Sequence, residues 1–164
     1  MKKSTKFIIA LLVTVGALAI TYRVVNQAPS KDLAADAQMQ EIITSGGCLQ
    51  CHSGSPDLPF YANWPVASGM VQKDVTQGYR AFDMTEMAEA LKAGKPVGKV
   101  ALAKVEKVIM DGTMPKHAYY MVHWGSSVTD AKKEMAMAWV KQHRLAHYAN
   151  GLAAAEFVNE PIRP

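Results

Sequence analysis

A run of apolar residues behind a cluster of lysines opens the chain. The run extends from Phe7 to Ile20 without a charged residue, and it has no polar face. Lysines followed by an uncharged apolar stretch are typical of a secretory signal or a signal anchor, whereas a buried amphipathic helix would carry a polar face. The apolar character continues to Val25, interrupted by Arg23. Residues 1–25 are therefore predicted to be a signal peptide or an uncleaved transmembrane anchor.

The sequence of residues 1–25 contains one feature that favours cleavage by signal peptidase and one that favours a retained anchor. Ala17-Leu-Ala19 is typical of a signal-peptidase site, whereas residues 7–25 are long enough to cross a bilayer with Arg23 at the far interface. We favour the retained anchor and expect membrane association through residues 7–25. Because the N-terminal lysines stay in the cytoplasm, the rest of the chain faces outward. The predicted location is the periplasmic side of the bacterial inner membrane, either anchored or soluble.

Apolar positions after residue 31 follow helical spacing, and none of the later stretches shows the alternation typical of a strand. Residues 26–31 are polar and contain a proline, which indicates a short linker. Residues 53–83 carry several glycines and prolines and show no strand pattern, and we predict loops and short turns there. The predicted helices cover residues 32–45, 84–92, 100–110 and 130–148.

The predicted fold class is an all-α domain with long loops over residues 32–150. Asn150-Gly151 is a helix-stop signal, so residues 151–164 are predicted to be an irregular tail. Long loops around a small apolar core are unusual in a compact domain. A large apolar cofactor bound among the loops would account for them.

The positive charge of the chain belongs to its N-terminal segment. The whole chain has 18 Lys and Arg against 14 Asp and Glu, a formal net charge of +4. Residues 1–29 contain four of these cations and no acidic residue, so 18 − 4 leaves 14 cations against 14 acids in the remainder. The exported part is neutral and lacks a basic stripe with interleaved aromatic residues, and we predict no nucleic-acid partner.

Both cysteines of the chain lie in the motif Cys48-Leu-Gln-Cys51-His52. This spacing is the attachment signature of c-type haem, because two thiols so placed can form thioethers to the vinyl groups on one porphyrin edge. The following histidine then supplies the proximal iron ligand. A redox disulfide would be expected after a strand, and a zinc site would need further Cys or His residues. We therefore predict one covalent haem c, with Cys48 and Cys51 as thioethers and His52 on the iron.

The second axial ligand has several candidates within residues 111–124. Met114 is the first choice, because it lies in a Gly-x-Met-Pro turn between two predicted helices and Pro115 stiffens that turn. His123 is the second choice and His117 the third, and an open or water-bound iron is a further alternative. A thioether ligand raises the reduction potential relative to a second imidazole, so the choice bears on function.

These residues resemble a bacterial haem-binding domain family of single-haem cytochromes, related in plan to class I cytochrome c. The resemblance runs from Cys48 to about His143. Besides the cysteine motif, it rests on residues 59–65, 74–82, 112–123 and 129–134.

The resemblance implies a class I cytochrome c-like fold, an N-terminal anchor, and a role in respiratory or peroxide-linked electron transfer. The family's Met-Pro and downstream histidine match Met114 and His123. One departure is local: the family often has a second proline and an aromatic residue after Met-Pro, whereas Lys116 and His117 follow Pro115 here.

We predict an exported single-haem cytochrome that transfers electrons, more a carrier than a catalyst. Its partners would be redox proteins, among them a peroxidase or a membrane oxidoreductase. The alternative is a haem enzyme or accessory subunit, peroxidase-type or ligand-sensing, with an open sixth position and His117 or His123 as acid–base group. Six lysines could steer an acidic partner or form an ordinary solvated face, and the solvated face is favoured: Lys92, Lys95, Lys99, Lys104, Lys107 and Lys116.

Overall fold

Helices account for most of the chain, and they form chiefly where apolar positions recur with helical spacing. The computed structural model describes residues 3–158, and side-chain environments over residues 4–151. Across that part of the chain there are α-helices, loops and three short 3₁₀ turns, but no β-strand. The helices are α1 Lys3–Val25, α2 Ala35–Ser45, α3 Ala67–Ala81, α4 Thr85–Lys92, α5 Lys99–Asp111, α6 His117–Val122 and α7 Asp130–Val158.

The apolar faces of α2, α4, α5 and α7 pack against one another and form the core. Trp139 of α7 is 1% exposed, and burying an aromatic side chain of this size contributes about 2–3 kcal/mol. Its indole N–H donates to Asp36 Oδ1 at 2.8 Å, and His143 Nε2 lies 2.8 Å from the same oxygen. These contacts fix α7 to α2. The core residues are Met39, Ile42, Ile43, Met84, Met87, Leu91, Val97, Leu102, Val105, Ala136, Trp139 and Val140.

Residues 53–83 are not loop throughout, and this prediction was wrong for α3. Gly78 is the single buried residue of this helix, and its apolar side chains, among them Met70 and Tyr79, stay partly or largely exposed. A Cβ on Gly78 would lie 2.5 Å from the carbonyl oxygen of Cys51, so the glycine lets the helix pass directly over the cysteine motif. A residue that reads as a helix breaker in sequence is therefore a close-packing position in the folded chain.

The last helix also departs from its prediction, because α7 does not stop at Asn150-Gly151 and continues to Val158. A glycine inside a helix costs only about 1 kcal/mol relative to alanine, and three alanines at residues 153–155 favour the helix strongly. The predicted irregular tail therefore begins within a helix. Residues 159–164 lie outside the described part of the chain.

The N-terminal helix α1 is long and apolar enough to cross a membrane, and residues Ser4–Val25 are exposed throughout. A signal sequence would have the same length and composition. The prediction of an all-α chain with an N-terminal apolar helix is confirmed over the described residues. The arrangement also agrees with a class I cytochrome c-like plan, because the helix before the cysteine motif packs against the last helix.

Candidate haem-binding site

The cysteine segment, residues 47–52, is a tight turn that follows α2. Gly47 has a φ of 64°, which turns the chain, and Cys48–Gln50 then form a single 3₁₀ turn. The backbone N–H of His52 donates to the carbonyl of Cys48 at 3.0 Å. Cys48 packs against the hydrophobic core, and both thiols are free and only partly buried. The turn therefore holds the two sulfur-bearing residues and the histidine in one compact unit.

The ring of His52 is oriented by a backbone carbonyl. Its Nδ1 lies 2.8 Å from the carbonyl oxygen of Phe82, and a carbonyl can only accept, so Nδ1 carries the proton. The backbone N–H of Met84 donates to the His52 carbonyl at 2.7 Å. His52 Nε2 has no hydrogen-bond partner among the described residues and keeps its lone pair. This is the tautomer in which an imidazole binds a metal, with a carbonyl as outer partner.

The two thiols have the wrong acidity for a redox-active pair. Burial raises the pKa of Cys48 to about 11. Burial, together with the nearby Asp74 carboxylate, also raises the pKa of Cys51. Redox-active Cys-x-x-Cys motifs need a thiolate with a depressed pKa, so this environment disfavours that alternative. Within the described residues, no group of three or more Cys, His, Asp or Glu side chains is placed to hold a metal ion.

Aromatic side chains stand near the cysteine segment and remain accessible. Phe60 is 82% exposed and packs edge-to-face with Tyr61 and Trp64, at ring-centroid distances of 5.6 and 5.5 Å. Tyr61 is close enough to Cys51 for the thiolate charge to raise its pKa, although burial is the larger cause. Exposed aromatic clusters of this kind mark binding surfaces. Free thiols, an oriented imidazole and apolar rings are the groups that a haem requires, so the residues present fit that cofactor.

His123 lies between two tyrosines beside the cysteine segment. Its Nε2 is 2.9 Å from the Tyr61 hydroxyl, and its ring stacks on Tyr119 at a centroid distance of 4.0 Å. Its Nδ1 lies 3.1 Å from the Tyr119 carbonyl, which assigns the proton to Nδ1 and makes Nε2 the acceptor. The Tyr119 hydroxyl donates to Gln50 at 2.7 Å and so connects the pair to the cysteine segment. His123 would have to give up its bond with Tyr61 to bind iron.

Met114 lies in a turn directly after α5, as predicted, although the helix that follows it is α6, which was not predicted, and Met114 is 38% exposed. It lines a cleft of about 270 Å³ together with Tyr22 and Tyr120. Two residues later, Lys116 Nζ forms an ion pair with Asp74 of α3 at 2.6 Å. Both partners of this ion pair are close enough to Cys51 to influence its pKa. The structure therefore brings the Met114 turn into the neighbourhood of the cysteine segment, although the two are about 60 residues apart.

His117, the third candidate, is exposed, and its Nδ1 is hydrogen-bonded to the Tyr120 hydroxyl. Sequence reasoning missed three parts of the site: the carbonyl of Phe82, the close approach of Gly78, and the Tyr61–His123 hydrogen bond. A backbone carbonyl has no sequence signal. The aromatic run around Tyr61 was the one visible sign of the hydrogen bond.

Half of the six lysines named above are engaged within the chain. Lys116 pairs with Asp74, and Lys107 pairs with Asp111 at 2.7 Å. Lys104 donates to the Ala81 carbonyl at 2.6 Å and lies 5.1 Å from the centroid of the Phe82 ring. These local bonds agree with an ordinary solvated helix face.

Residues 7–142 match the haem-binding domain family. The chain belongs to this family. Family membership makes it a haem protein, and the predicted haem cofactor is confirmed at that level.

A curated relative of this haem-binding domain protein is cytochrome c peroxidase Ccp of Escherichia coli (strain K12). The two are 36% identical over 118 residues, which are 72% of this chain and 25% of the relative. The chain therefore spans about a quarter of the length of the relative that it matches. No solved structure matches the chain.

Proposed function

We propose that this protein is an exported single-haem c-type cytochrome that carries electrons in a respiratory or peroxide-linked chain. The observation that carries the proposal is the oriented ring of His52 directly after the two free cysteines, with Nδ1 held by Phe82 and Nε2 open. In this proposal Cys48 and Cys51 hold the haem as thioethers, and His52 is the proximal iron ligand. The haem supplies a one-electron couple at its iron when bound.

The second ligand in this proposal is Met114. Its support is the exposed thioether in a proline-stiffened turn, tied near Cys51 through the Lys116–Asp74 ion pair. His123 is the alternative, and its occupied Nε2 counts against it. With both axial positions filled by the chain, no site is left for a substrate on the iron, which is the condition for a carrier.

The proposed organisation places an anchor or signal in residues 1–25, a linker in residues 26–31 and the haem domain in residues 32–150. The domain lies on the periplasmic side of the inner membrane, as an outward-facing domain behind N-terminal lysines. Its partners are redox proteins. A peroxidase or a membrane oxidoreductase is the proposed class, because the E. coli relative is named a cytochrome c peroxidase.

Mass spectrometry and optical spectra of the purified protein test this proposal. We expect one haem per chain that survives denaturation, and its loss in Cys48→Ala/Cys51→Ala. The ferric protein should be low-spin with a methionine–iron charge-transfer band, which disappears in Met114→Ala. Met121→Ala is the matched control, because Met121 is an exposed methionine of the same region, and it should keep the band. A band that survives Met114→Ala would contradict this ligand, and a native spectrum lost in His123→Ala would assign the position to His123.

One observation favours a second candidate function, a haem enzyme with an open sixth position. Tyr61 and His123 form a hydrogen-bonded pair near the cysteine segment, and such a pair can donate and accept a proton. This alternative predicts a high-spin ferric spectrum and rapid binding of cyanide or peroxide. It also predicts that His123→Ala slows the reaction with peroxide, whereas a carrier would show no such reaction.

A further inference from the structure

The membrane-length helix is joined to the haem domain by a buried side chain. Asn26 follows α1 directly and is 3% exposed. Its Nδ2 donates to the carbonyl of Trp124 at 2.6 Å and to the carbonyl of Tyr22 at 3.0 Å, and its Oδ1 accepts from the backbone N–H of Ser127 at 2.9 Å. Both ends of this amide are therefore satisfied: Nδ2 bridges the helix and the domain, and Oδ1 bonds to the domain.

A second hydrogen bond lies one turn earlier on the helix. The Tyr22 hydroxyl is 2.8 Å from Ser127 Oγ. Gly125 lies against Val25, since a Cβ on Gly125 would come within 3.4 Å of the Val25 carbonyl oxygen. We call these contacts of Tyr22, Val25 and Asn26 with residues 124–127 the clasp. Several bonds over five residues restrict the angle between helix and domain far more than a flexible linker would.

The clasp follows the membrane-length part of α1 directly, so no further residues separate the bilayer from the clasp. Residues 7–25, which follow the charged Lys6, rise about 29 Å as a helix, close to the roughly 30 Å of the hydrocarbon core of a bilayer. The outer boundary of the hydrocarbon therefore falls near Val25 and Asn26, with Tyr22 and Arg23 in the last turn before it. A tyrosine and an arginine are the residue types that anchor a helix at this boundary.

The Met114 segment, residues 112–127, lies beside this boundary. Tyr22 shares its cleft with Met114, Pro115 and Tyr120, so the turn stands level with the last turn of α1. Lys133 lines the same cleft, with its Nζ 3.2 Å from Asp130 Oδ1. Because the domain is clasped at this point, these residues cannot move away from the bilayer without breaking the clasp.

We infer that the Met114 segment rests on the phospholipid headgroup layer of the outer leaflet, held there by the clasp. The inference rests on the retained anchor of the proposed function. It gives the domain one fixed orientation, with the face that carries the candidate second ligand towards the bilayer.

Quenching of an attached fluorophore by brominated lipids tests the inference in the full-length haem protein. The protein is reconstituted in vesicles of phosphatidylethanolamine and phosphatidylglycerol, and bimane is placed on Thr113→Cys, Asn150→Cys or Leu12→Cys. Thr113 is exposed on the turn, and Asn150 is exposed about 30 Å along α7 from Asp130. We expect headgroup-proximal quenching at Thr113→Cys several-fold above that at Asn150→Cys. Equal quenching at the two positions would overturn the inference.

Breaking the clasp provides the second arm. Asn26→Ala removes the two hydrogen bonds from Asn26 to residues 124–127 and should lower the quenching at Thr113→Cys, while the haem spectrum stays unchanged. Gln27→Ala is the matched control, because Gln27 is exposed and its side chain has no hydrogen bond in the described structure. If Asn26→Ala does not fold, Tyr22→Phe removes only the bond to Ser127 and should lower the quenching partly. Unchanged quenching in a folded clasp variant would overturn the inference.

The Leu12→Cys label separates this inference from the proposed function. Strong quenching there shows that α1 is in the bilayer, and its absence would overturn both the anchor and the orientation. The electron-carrier proposal is decided independently by the haem spectra.

Discussion

The cysteine segment and the Met114 segment are held by different kinds of interaction. The cysteine segment rests on the core, where Cys48 and Leu49 pack against buried apolar residues, and Gly78 closes over it. The Met114 segment is largely exposed, and polar bonds connect it to distant parts of the chain: the Tyr61–His123 bond, the Lys116–Asp74 ion pair and the clasp at Asn26.

The cysteine segment is therefore the rigid side of the site, and the Met114 segment is the adjustable side, whose position depends on single polar contacts. Close packing tolerates little change, whereas a single hydrogen bond contributes about 1 kcal/mol and an exposed ion pair about 1 kcal/mol or less. The position of His52 should therefore resist substitutions in its surroundings. In the proposed cytochrome, we expect that the second ligand can be altered without loss of the first, and that such a change would shift the reduction potential.

The largest expected loss of stability is at Gly78, where α3 packs most closely against the cysteine segment. Gly78→Ala places a methyl group 2.5 Å from the Cys51 carbonyl oxygen, and forcing α3 away should lower the free energy of unfolding by about 1–3 kcal/mol. The yield of protein with attached haem should fall as well. Chemical denaturation and haem staining measure the two effects.

The matched control is Gly69→Ala in the same helix, because a Cβ there meets nothing within 4 Å. It should leave stability unchanged or raise it by up to about 1 kcal/mol. Equal destabilisation by the two substitutions would mean that helix propensity and not the contact with Cys51 is responsible.

Where the two segments meet, at Gly47, the difference from a matched substitution is expected to be smaller. Gly47→Ala imposes left-handed strain of about 1–2 kcal/mol, and its methyl group would displace the Tyr119 hydroxyl from Gln50. Gly94→Ala has the same strain, with a φ of 60°, but no neighbour. The difference between the two unfolding free energies should be about 1 kcal/mol, the value of the lost hydrogen bond. No difference would show that Tyr119 does not hold the segments together.

On the adjustable side, Tyr61→Phe removes the hydrogen bond to His123 and little else. We expect a loss of about 0.5–1.5 kcal/mol in unfolding free energy and an unchanged methionine–iron band. Tyr148→Phe, at an exposed tyrosine of α7, is the control and should have no effect. A new low-spin spectrum in Tyr61→Phe would show that the freed His123 Nε2 competes with Met114.

The smallest effect is a pH dependence at the contact of the two segments. Burial, with the nearby Cys51 as the next cause, raises the pKa of Tyr119 to about 12. Between pH 10 and about 12 the folded chain keeps a proton that the unfolded chain releases, so the free energy of unfolding falls as pH rises through this window. Burial also raises the pKa of Tyr61, so ultraviolet difference absorbance should show late tyrosine ionisation, and Tyr119→Phe should remove its last step, near pH 12, and flatten the pH profile. A last step that persists in Tyr119→Phe would assign it to another tyrosine.

Sequence patterns were sufficient for the helices that bury an apolar stripe. Helices α2, α4, α5 and α7 lie within a few residues of their predicted positions at all but one end, since periodicity reports burial directly. The pattern failed for α3, whose buried residue is a glycine, and for the end of α7. In both cases a glycine was read by its local preference, and the surrounding structure outweighed that preference.

The candidate site likewise has one part that the local sequence determines and another that depends on tertiary contacts. Local spacing alone determined that two thiols and an imidazole fall together at Cys48, Cys51 and His52, because a five-residue motif needs no tertiary contact to be assembled. Three contacts depend on the folded chain. The Phe82 carbonyl orients the ring of His52, and the Tyr61 hydroxyl is hydrogen-bonded to His123. The Lys116–Asp74 ion pair holds the Met114 turn near the cysteine segment. Those contacts join residues about 30 to 60 positions apart, where the packing of helices and not local spacing sets which groups meet.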